Sequence, residues 1–147
     1  MQTTIRAFKE TDTDTLINVW YQSSSLAHPF LTADFMEQEK KNIREIYIPN
    51  TLTWVVTTDD QIDGFISMIS NEVGAIFVHP NKHGQGLGKQ LMDHVSLLHS
   101  ELEVEVFKNN SIGRAFYDRY GFEQIAESVH EPTNQKLIRM KYKKQQP

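Results

Sequence analysis

The 147-residue sequence contains no cysteine. A chain without thiols cannot form disulfides, bind metal through thiolates or use a cysteine nucleophile. Long apolar runs are also missing, because the hydrophobic stretches are no longer than a strand and residues 1–14 are polar and charged. We therefore expect neither a signal peptide nor a membrane span, and we predict a cytoplasmic protein without membrane contact.

Basic residues are fewer than acidic ones, with 15 lysines and arginines against 19 aspartates and glutamates and a net charge of −4. Nucleic-acid binding needs a basic face to meet phosphates, so this balance argues against a nucleic-acid partner. Apolar residues make up 39% of the chain, which is enough for a core at this length. We predict one domain over residues 1–147, and the sequence leaves monomer and homodimer open.

The order of apolar patterns predicts an α/β fold. Branched and alternating runs typical of strands occupy residues 3–8, 52–58, 62–70, 73–78, 102–107, 122–129 and 136–142. Patterns that predict helices begin near Thr11, Thr32, Leu87 and Asn110. Residues 23–30 are expected to break the first helix. A central strand–loop–helix–strand order favours one parallel pair, so we expect a mixed, mostly antiparallel sheet of about seven strands with helices on both faces.

Three glycines stand within five positions before the third predicted helix, at Gly84, Gly86 and Gly88. A helix start carries free backbone N–H groups and a partial positive charge, and glycines let an anion approach without meeting a Cβ. A phosphate cradle is one interpretation, and a turn that only enters a helix is the other. The nucleotide P-loop pattern fails because Gln90, not Ser or Thr, follows Lys89, and the dinucleotide pattern fails because Lys89 replaces a glycine.

Two motifs resemble the signatures of the GNAT superfamily of N-acetyltransferases. In the first, Val78-x-Pro80 precedes residues 83–88 (His-Gly-Gln-Gly-Leu-Gly), which resemble the acetyl-CoA motif that opens a helix. In the second, Asn110-x6-Tyr117 precedes a Gly-Phe pair that starts the next strand. The two motifs stand in the family's order with a strand between them, and the resemblance in element order covers nearly the whole chain.

Small bacterial GNAT proteins of the YiaC and YjaB type resemble this sequence in further residues, namely Trp20, His28-Pro29-Phe30 and Trp54. The resemblance implies an acetyl-CoA-dependent N-acetyltransferase that moves an acetyl group directly to a primary amine. The acceptor is left open among a protein lysine, an N-terminus and a small molecule. A non-catalytic acyl-CoA-binding or regulatory domain is the alternative.

The resemblance also implies which residues contact acetyl-CoA. They are Phe77, Val78, His83, Gly84, Gln85, Gly86, Leu87, Gly88, Lys89, Asn110 and Phe116. His83 departs from the family, which carries Arg or Gln at this position. We expect binding to survive, with weaker affinity or a pH dependence, because the cradle relies on backbone N–H groups.

Catalytic roles follow from the same resemblance. Tyr117 would be the general acid for the departing thiolate; a phenol has a pKa of about 10 against about 8.5 for a thiol, so it mainly donates a hydrogen bond. The base is left open among water, His28 and Glu105, whose position resembles that of a proposed base in ribosomal-protein alanine acetyltransferases. His28 and Phe30 are expected on the acceptor side. The other histidines lack ligand spacing, so we predict no metal.

Overall fold

The computed structural model describes residues 2–144 and contains a single seven-stranded sheet. The strands are β1 (Thr3–Ala7), β2 (Leu52–Thr58), β3 (Gln61–Ile69), β4 (Glu72–Val78), β5 (Glu101–Phe107), β6 (Glu123–His130) and β7 (Gln135–Lys143). Their spatial order is β1-β2-β3-β4-β5-β7-β6, and only the β4–β5 pair is parallel. The predicted mixed, mostly antiparallel sheet is therefore confirmed, including the parallel pair at its centre.

Four α-helices pack on this sheet. They are α1 (Thr13–Ala27), α2 (Ala33–Asn42), α3 (Leu87–Ser96) and α4 (Ser111–Tyr120). The side chain of Thr32 caps α2 by accepting from the N–H of Phe35 at 3.1 Å, and Asn110 caps α4 in the same way. Short helical turns cover Glu10–Asp12, Ile43–Tyr47, Ile48–Asn50 and Pro80–Lys82.

The first helix is longer than the sequence predicted. We expected residues 23–30 to break it, but α1 continues to Ala27. Ser23 and Ser24 are only 5% and 1% exposed, and both hydroxyls form hydrogen bonds inside the protein. Burial of this serine-bearing face therefore outweighs the modest helix propensity of serine.

The sheet separates two apolar cores. Val55 and Val56 are neighbours on β2 with no exposed surface, and their side chains point to opposite faces. On the face that we call the α1 face, Val55 packs with Leu16 and Trp20 of α1 and with residues of α2. On the opposite α3 face, Val56 packs with residues of α3 and α4. Helices thus cover both faces, as predicted.

The parallel pair at the centre is short. β4 and β5 are paired only at Glu72↔Glu103 and Val73↔Val104. On its other edge, β4 pairs with β3 at Met68↔Val73 and Ser67↔Ala75, so Gly74 is an extra residue in β4. A bulge bends the strand that carries it. We attribute the gap that opens between β4 and β5 after Val73 to this bend at Gly74.

Candidate active site

A cleft of ≈ 1230 Å³ passes through the gap between β4 and β5. Its lining on the α3 side comes from the glycine loop and α4, and on the α1 side from α1 and α2. The gap therefore joins the two faces of the sheet. Reactants that enter from opposite faces can meet at its centre. Of the sequence-predicted site residues, all but Gln85 and Phe30 line this cleft.

The glycine loop at the α3 side has the geometry of an anion cradle. Gly84 and Gly86 adopt φ of 80° and 81°, and a Cβ at either would meet no atom within 4 Å. Gly86 is the N-cap of α3, so the loop directs the helix's free N–H groups outward. These residues fit the pyrophosphate of coenzyme A, because the left-handed backbone is open where an anion would approach.

Other loop residues have different roles in the fold. A Cβ on Gly88 would lie 3.1 Å from the ring of Phe116, so this glycine lets α4 pack closely on α3. Leu87 is 4% exposed and belongs to the core of the α3 face. Gln85 is exposed, and Lys89 donates to Asp93 at 2.8 Å on the helix surface. Gly84 and Gly86 are thus the glycines whose backbone faces open space.

The carbonyl of Val78 ties β4 to the glycine loop and to α1. It accepts a hydrogen bond from Ser23 Oγ at 3.0 Å and lies 2.8 Å from His83 Nε2. A carbonyl oxygen only accepts, so His83 carries a proton on Nε2. The next N–H, that of His79, donates to Asp63 on β3. Because successive residues of a strand direct their backbone groups to opposite edges, the N–H of Val78 points into the gap.

His28 ends α1 and is buried, at 8% exposure, inside a polar chain. Its Nδ1 lies 2.8 Å from Ser24 Oγ, and its Nε2 lies 3.1 Å from Asn110 Nδ2. Burial lowers the pKa of His28 to about 4, so the ring is neutral near pH 7. Both ring nitrogens are engaged by the protein, so His28 presents no free nitrogen to the cleft.

Aromatic rings line the α1 side of the gap. Phe107, at the end of β5, has its ring centroid 5.1 Å from that of His28 and 5.5 Å from that of Phe30. Phe77, near the end of β4, lies 6.3 Å from His28 on the facing strand. His130 stacks edge-on against Phe107 at 5.3 Å. Phe30 is half-buried and packs against His28 and Phe107, behind the residues that line the cleft.

Tyr117 lies on the inward face of α4, seven residues after Asn110 and thus about two turns along the same side. It is 7% exposed and packs edge-on against Phe116 and Phe122. Burial raises its pKa well above the ordinary value for tyrosine. Within residues 2–144 no group hydrogen-bonds to its hydroxyl, and the side chain lines the cleft.

Glu105 lies on β5 with its side chain on the α1 face, because its neighbours Val104 and Val106 are buried on the α3 face. It lines the cleft and is 39% exposed. Arg139 of β7 holds Glu103 at 2.8 Å and Glu72 at 3.1 Å but lies 3.7 Å from Glu105. Glu105 is the most weakly held of these three carboxylates.

The sequence alone identified His28 but missed three residues that shape this site, Ser24, Arg139 and Gly74. Ser24 and His28 are four apart on one helix, a spacing that brings side chains together and could have signalled the contact. Arg139 lies in a strand in which polar and apolar residues alternate. This alternation indicates the face of the sheet on which Arg139 lies, but not the residues that it contacts. Gly74 interrupts an apolar strand, and this pattern is typical of a bulge.

Two other kinds of site are absent from residues 2–144. Of the helices there, none has the length and apolar character needed to cross a bilayer. Within the same residues, no group of three or more His, Cys, Asp or Glu side chains could hold a metal ion.

Comparison with known proteins places the chain in a family. A family model described as an acetyltransferase (GNAT) domain matches residues 49–124, just over half of the chain. The peptidyl-lysine N-acetyltransferase YiaC of Escherichia coli is 30% identical over 119 residues, which cover 80% of this chain and 82% of that protein.

Solved structures agree in fold. The solution structure of apo YjaB from Escherichia coli superposes with a TM-score of 0.88 at 26% identity, covering 97% of this chain and 98% of that one. The PaiA N-acetyltransferase of Thermoplasma acidophilum in complex with coenzyme A gives a TM-score of 0.78 at 21% identity, covering 97% and 100%. The chain belongs to the GNAT family and is an acetyl-CoA-dependent N-acetyltransferase.

Proposed function

We propose that this single-domain enzyme acetylates lysine side chains of proteins by direct transfer within a ternary complex. The observation that carries the proposal is the continuous cleft through the β4–β5 gap, lined by Tyr117 and Glu105. YiaC and YjaB, to which the chain is similar, are named peptidyl-lysine N-acetyltransferases, which favours a protein lysine over the other amines. The absence of cysteine agrees with transfer that uses no protein thiol.

Acetyl-CoA binds with its pyrophosphate at the glycine loop. The N–H groups around Gly84 and Gly86 donate to phosphate oxygens, and the positive end of α3 adds to the attraction. Phe77, Val78 and Phe116 contact the pantetheine arm where it enters the gap. The N–H of Val78 then donates to the thioester carbonyl and stabilises the negative charge that develops on that oxygen.

The acceptor amine approaches from the α1 side, past Phe30 and the edge of His28. It must lose a proton before its nitrogen can attack the carbonyl carbon, and Glu105 takes this proton through a water molecule. His28 is a poorer base because its nitrogens are engaged and its pKa is about 4. Arg139 holds Glu103 and Glu72 more closely, which leaves Glu105 free to act.

Tyr117 acts on the sulfur. As the new C–N bond forms and the C–S bond breaks, the hydroxyl of Tyr117 donates a hydrogen bond to the departing thiolate, and the second proton released by the nitrogen neutralises the thiolate through solvent. The raised pKa keeps the phenol protonated at every pH at which the enzyme works, so a donor is always present. This hydroxyl has no hydrogen-bond partner among residues 2–144 and lines the cleft, so it is free to make this bond.

The acceptor class is tested with three matched substrates. The first is a peptide with a blocked N-terminus and one lysine, the second has arginine in place of that lysine and a free N-terminus, and the third is a small diamine. Free-thiol release from acetyl-CoA gives the rate, and mass spectrometry locates the acetyl group. We expect turnover on the lysine peptide; faster turnover on either of the others would refute the protein-lysine assignment.

The catalytic roles are tested with Tyr117→Phe and Glu105→Gln. Each should lower kcat by about 10²- to 10⁴-fold, the usual contribution of general acid–base groups, while the Kd of acetyl-CoA stays within about twofold. Glu103→Gln is the matched control, since it lies on the same strand and face and also contacts Arg139. A Tyr117→Phe enzyme with normal kcat would show that the general acid is wrong, and equal losses in the two glutamine variants would remove Glu105 as the base.

A further inference from the structure

Three buried polar side chains connect α1 to α4 through direct contacts. Ser24, His28 and Asn110 are 1%, 8% and 7% exposed. Ser24 and His28 are on α1 and at its end, whereas Asn110 is 82 positions further along the chain than His28. The mechanism proposed above uses neither Ser24 nor the nitrogens of His28, so this chain of contacts needs another explanation.

The direction of each hydrogen bond follows from Asn110. Its Oδ1 accepts from the N–H of Gly113 at 2.8 Å and so caps α4, which leaves Nδ2 as the atom that faces His28. An amide NH₂ only donates, so Nε2 of His28 must accept and carries no proton. The neutral ring then has its proton on Nδ1 and donates to Ser24 Oγ. The contact needs the neutral ring in this one tautomer.

The ring of His28 stands at the opening of the gap. Phe77 of β4 and Phe107 of β5 lie on the two sides of this opening, and both rings pack edge-on against His28. The α4 residues Phe116 and Tyr117 pack in the core of the opposite face. His28 therefore links an element of the α1 face to the first turn of a helix that belongs to the α3 face.

Because Asn110 caps α4, its contact with His28 bears on the position of Tyr117 in the same helix. A side chain at position 113 would disturb this cap, because a Cβ there would lie 2.6 Å from Asn110 Nδ2. The backbone oxygen of Asn110 also accepts the first helical bond, from the N–H of Arg114 at 3.0 Å. A shift of Asn110 would therefore move the first turn of α4, and with it Tyr117 two turns later.

We propose that His28 is a positioning residue whose neutral ring holds Asn110, and with it α4, so that the hydroxyl of Tyr117 stays at the gap. The proposal rests on the role given above to Tyr117. It assigns His28 no proton transfer and no direct bond to the amine. It also agrees with the burial of the ring against Phe77 and Phe107.

Two amide substitutions separate positioning from the other roles. In His28→Gln, the amide oxygen reaches the place of Nε2 and can accept a hydrogen bond from Asn110. In His28→Asn, the shorter side chain reaches only the place of Nδ1, so it retains the contact with Ser24 and loses the one with Asn110. We expect His28→Asn to lower kcat roughly ten- to a hundredfold, because small displacements of a reacting group have effects of this size. His28→Gln should stay within about threefold of the wild type, and both should bind acetyl-CoA normally.

Each outcome for these two variants either supports or contradicts the positioning role of His28. Equal loss of kcat in both variants would overturn the proposal, because a base or a specific ring contact would be lost in each. Normal kcat in His28→Asn, measured on folded enzyme, would overturn it as well, because then His28 would matter only for stability. A raised KM for the amine with unchanged kcat would assign His28 to acceptor binding instead.

A spectroscopic measurement tests the link without relying on activity. The ¹⁵N shifts of His28 should report the tautomer with Nδ1 protonated at pH 7, and the amide signal of Gly113 should move in His28→Asn but not in His28→Gln. The tautomer with Nε2 protonated would overturn the proposal. If Tyr117→Phe proves fully active, the proposed function of Tyr117 fails, while these signals still show whether His28 holds the cap of α4.

Discussion

The two ends of the cleft are built from different parts of the chain. In the proposed mode of binding, backbone N–H groups of the glycine loop hold the phosphates at one end of the cleft, the phosphate end, where the side chains of Gln85 and Lys89 are exposed. At the reactive end, the buried side chains of Ser24, His28 and Asn110 form a connected set of hydrogen bonds. Substitutions of side chains should therefore have small effects at the first end and large effects at the second.

The largest effect is expected for Asn110→Ala. This change removes the cap of α4, worth about 1 kcal/mol, and leaves the buried Nε2 of His28 without a donor, which costs about 1–3 kcal/mol more. The free energy of unfolding, measured with urea, should fall by about 2–4 kcal/mol. The neighbouring Asn109 is exposed, so Asn109→Ala is the control and should stay within about 0.5 kcal/mol. Equal losses would mean that the buried contacts add nothing.

The second effect is a pH dependence of stability. The unfolded chain protonates His28 near its ordinary pKa of 6.5, whereas burial lowers the pKa of the folded state to about 4. Between these pH values the unfolded state binds more protons than the folded state. The contribution of neutral His28 to the free energy of unfolding is therefore complete above about pH 6.5, and ~3 kcal/mol of it is lost as the pH falls toward 4. Urea unfolding at pH 7 and pH 4.5 should show a smaller decrease for His28→Gln than for the wild type. Identical decreases in both proteins would contradict this prediction.

The smallest effect is expected at His83, on the phosphate end. Its exposed ring makes one hydrogen bond, to the carbonyl of Val78 at 2.8 Å, and such bonds contribute about 0.5–1.5 kcal/mol. His83→Ala should raise the Kd of acetyl-CoA by about two- to tenfold with little change in kcat. His83→Arg, which restores a residue common in the family, should bind at least as well as the wild type. A loss of kcat as large as that of Tyr117→Phe would place His83 at the reactive end.

The sequence by itself determined the fold class and predicted most of the site candidates that the structure brings to one cleft. Strand and helix patterns predicted the seven strands and the parallel crossover, because alternation and helical spacing are local properties of the chain. The cradle and Tyr117 were identified by motifs whose spacing is also local, with a glycine loop before a helix and a tyrosine seven positions after its capping asparagine. The length of α1 was wrong because the burial that stabilises Ser23 and Ser24 in the helix is not visible in the sequence.

Only the tertiary structure decided how distant residues combine. The sequence left open whether His28 is the general base or a residue that contacts the acceptor. The structure places its ring between β4 and β5, with both ring nitrogens in hydrogen bonds. Gly88 looked like part of the cradle, but its small size lets Phe116 approach. Such contacts join residues that are tens of positions apart. They depend on the packing of α1 and α4 across the sheet, which no local pattern specifies.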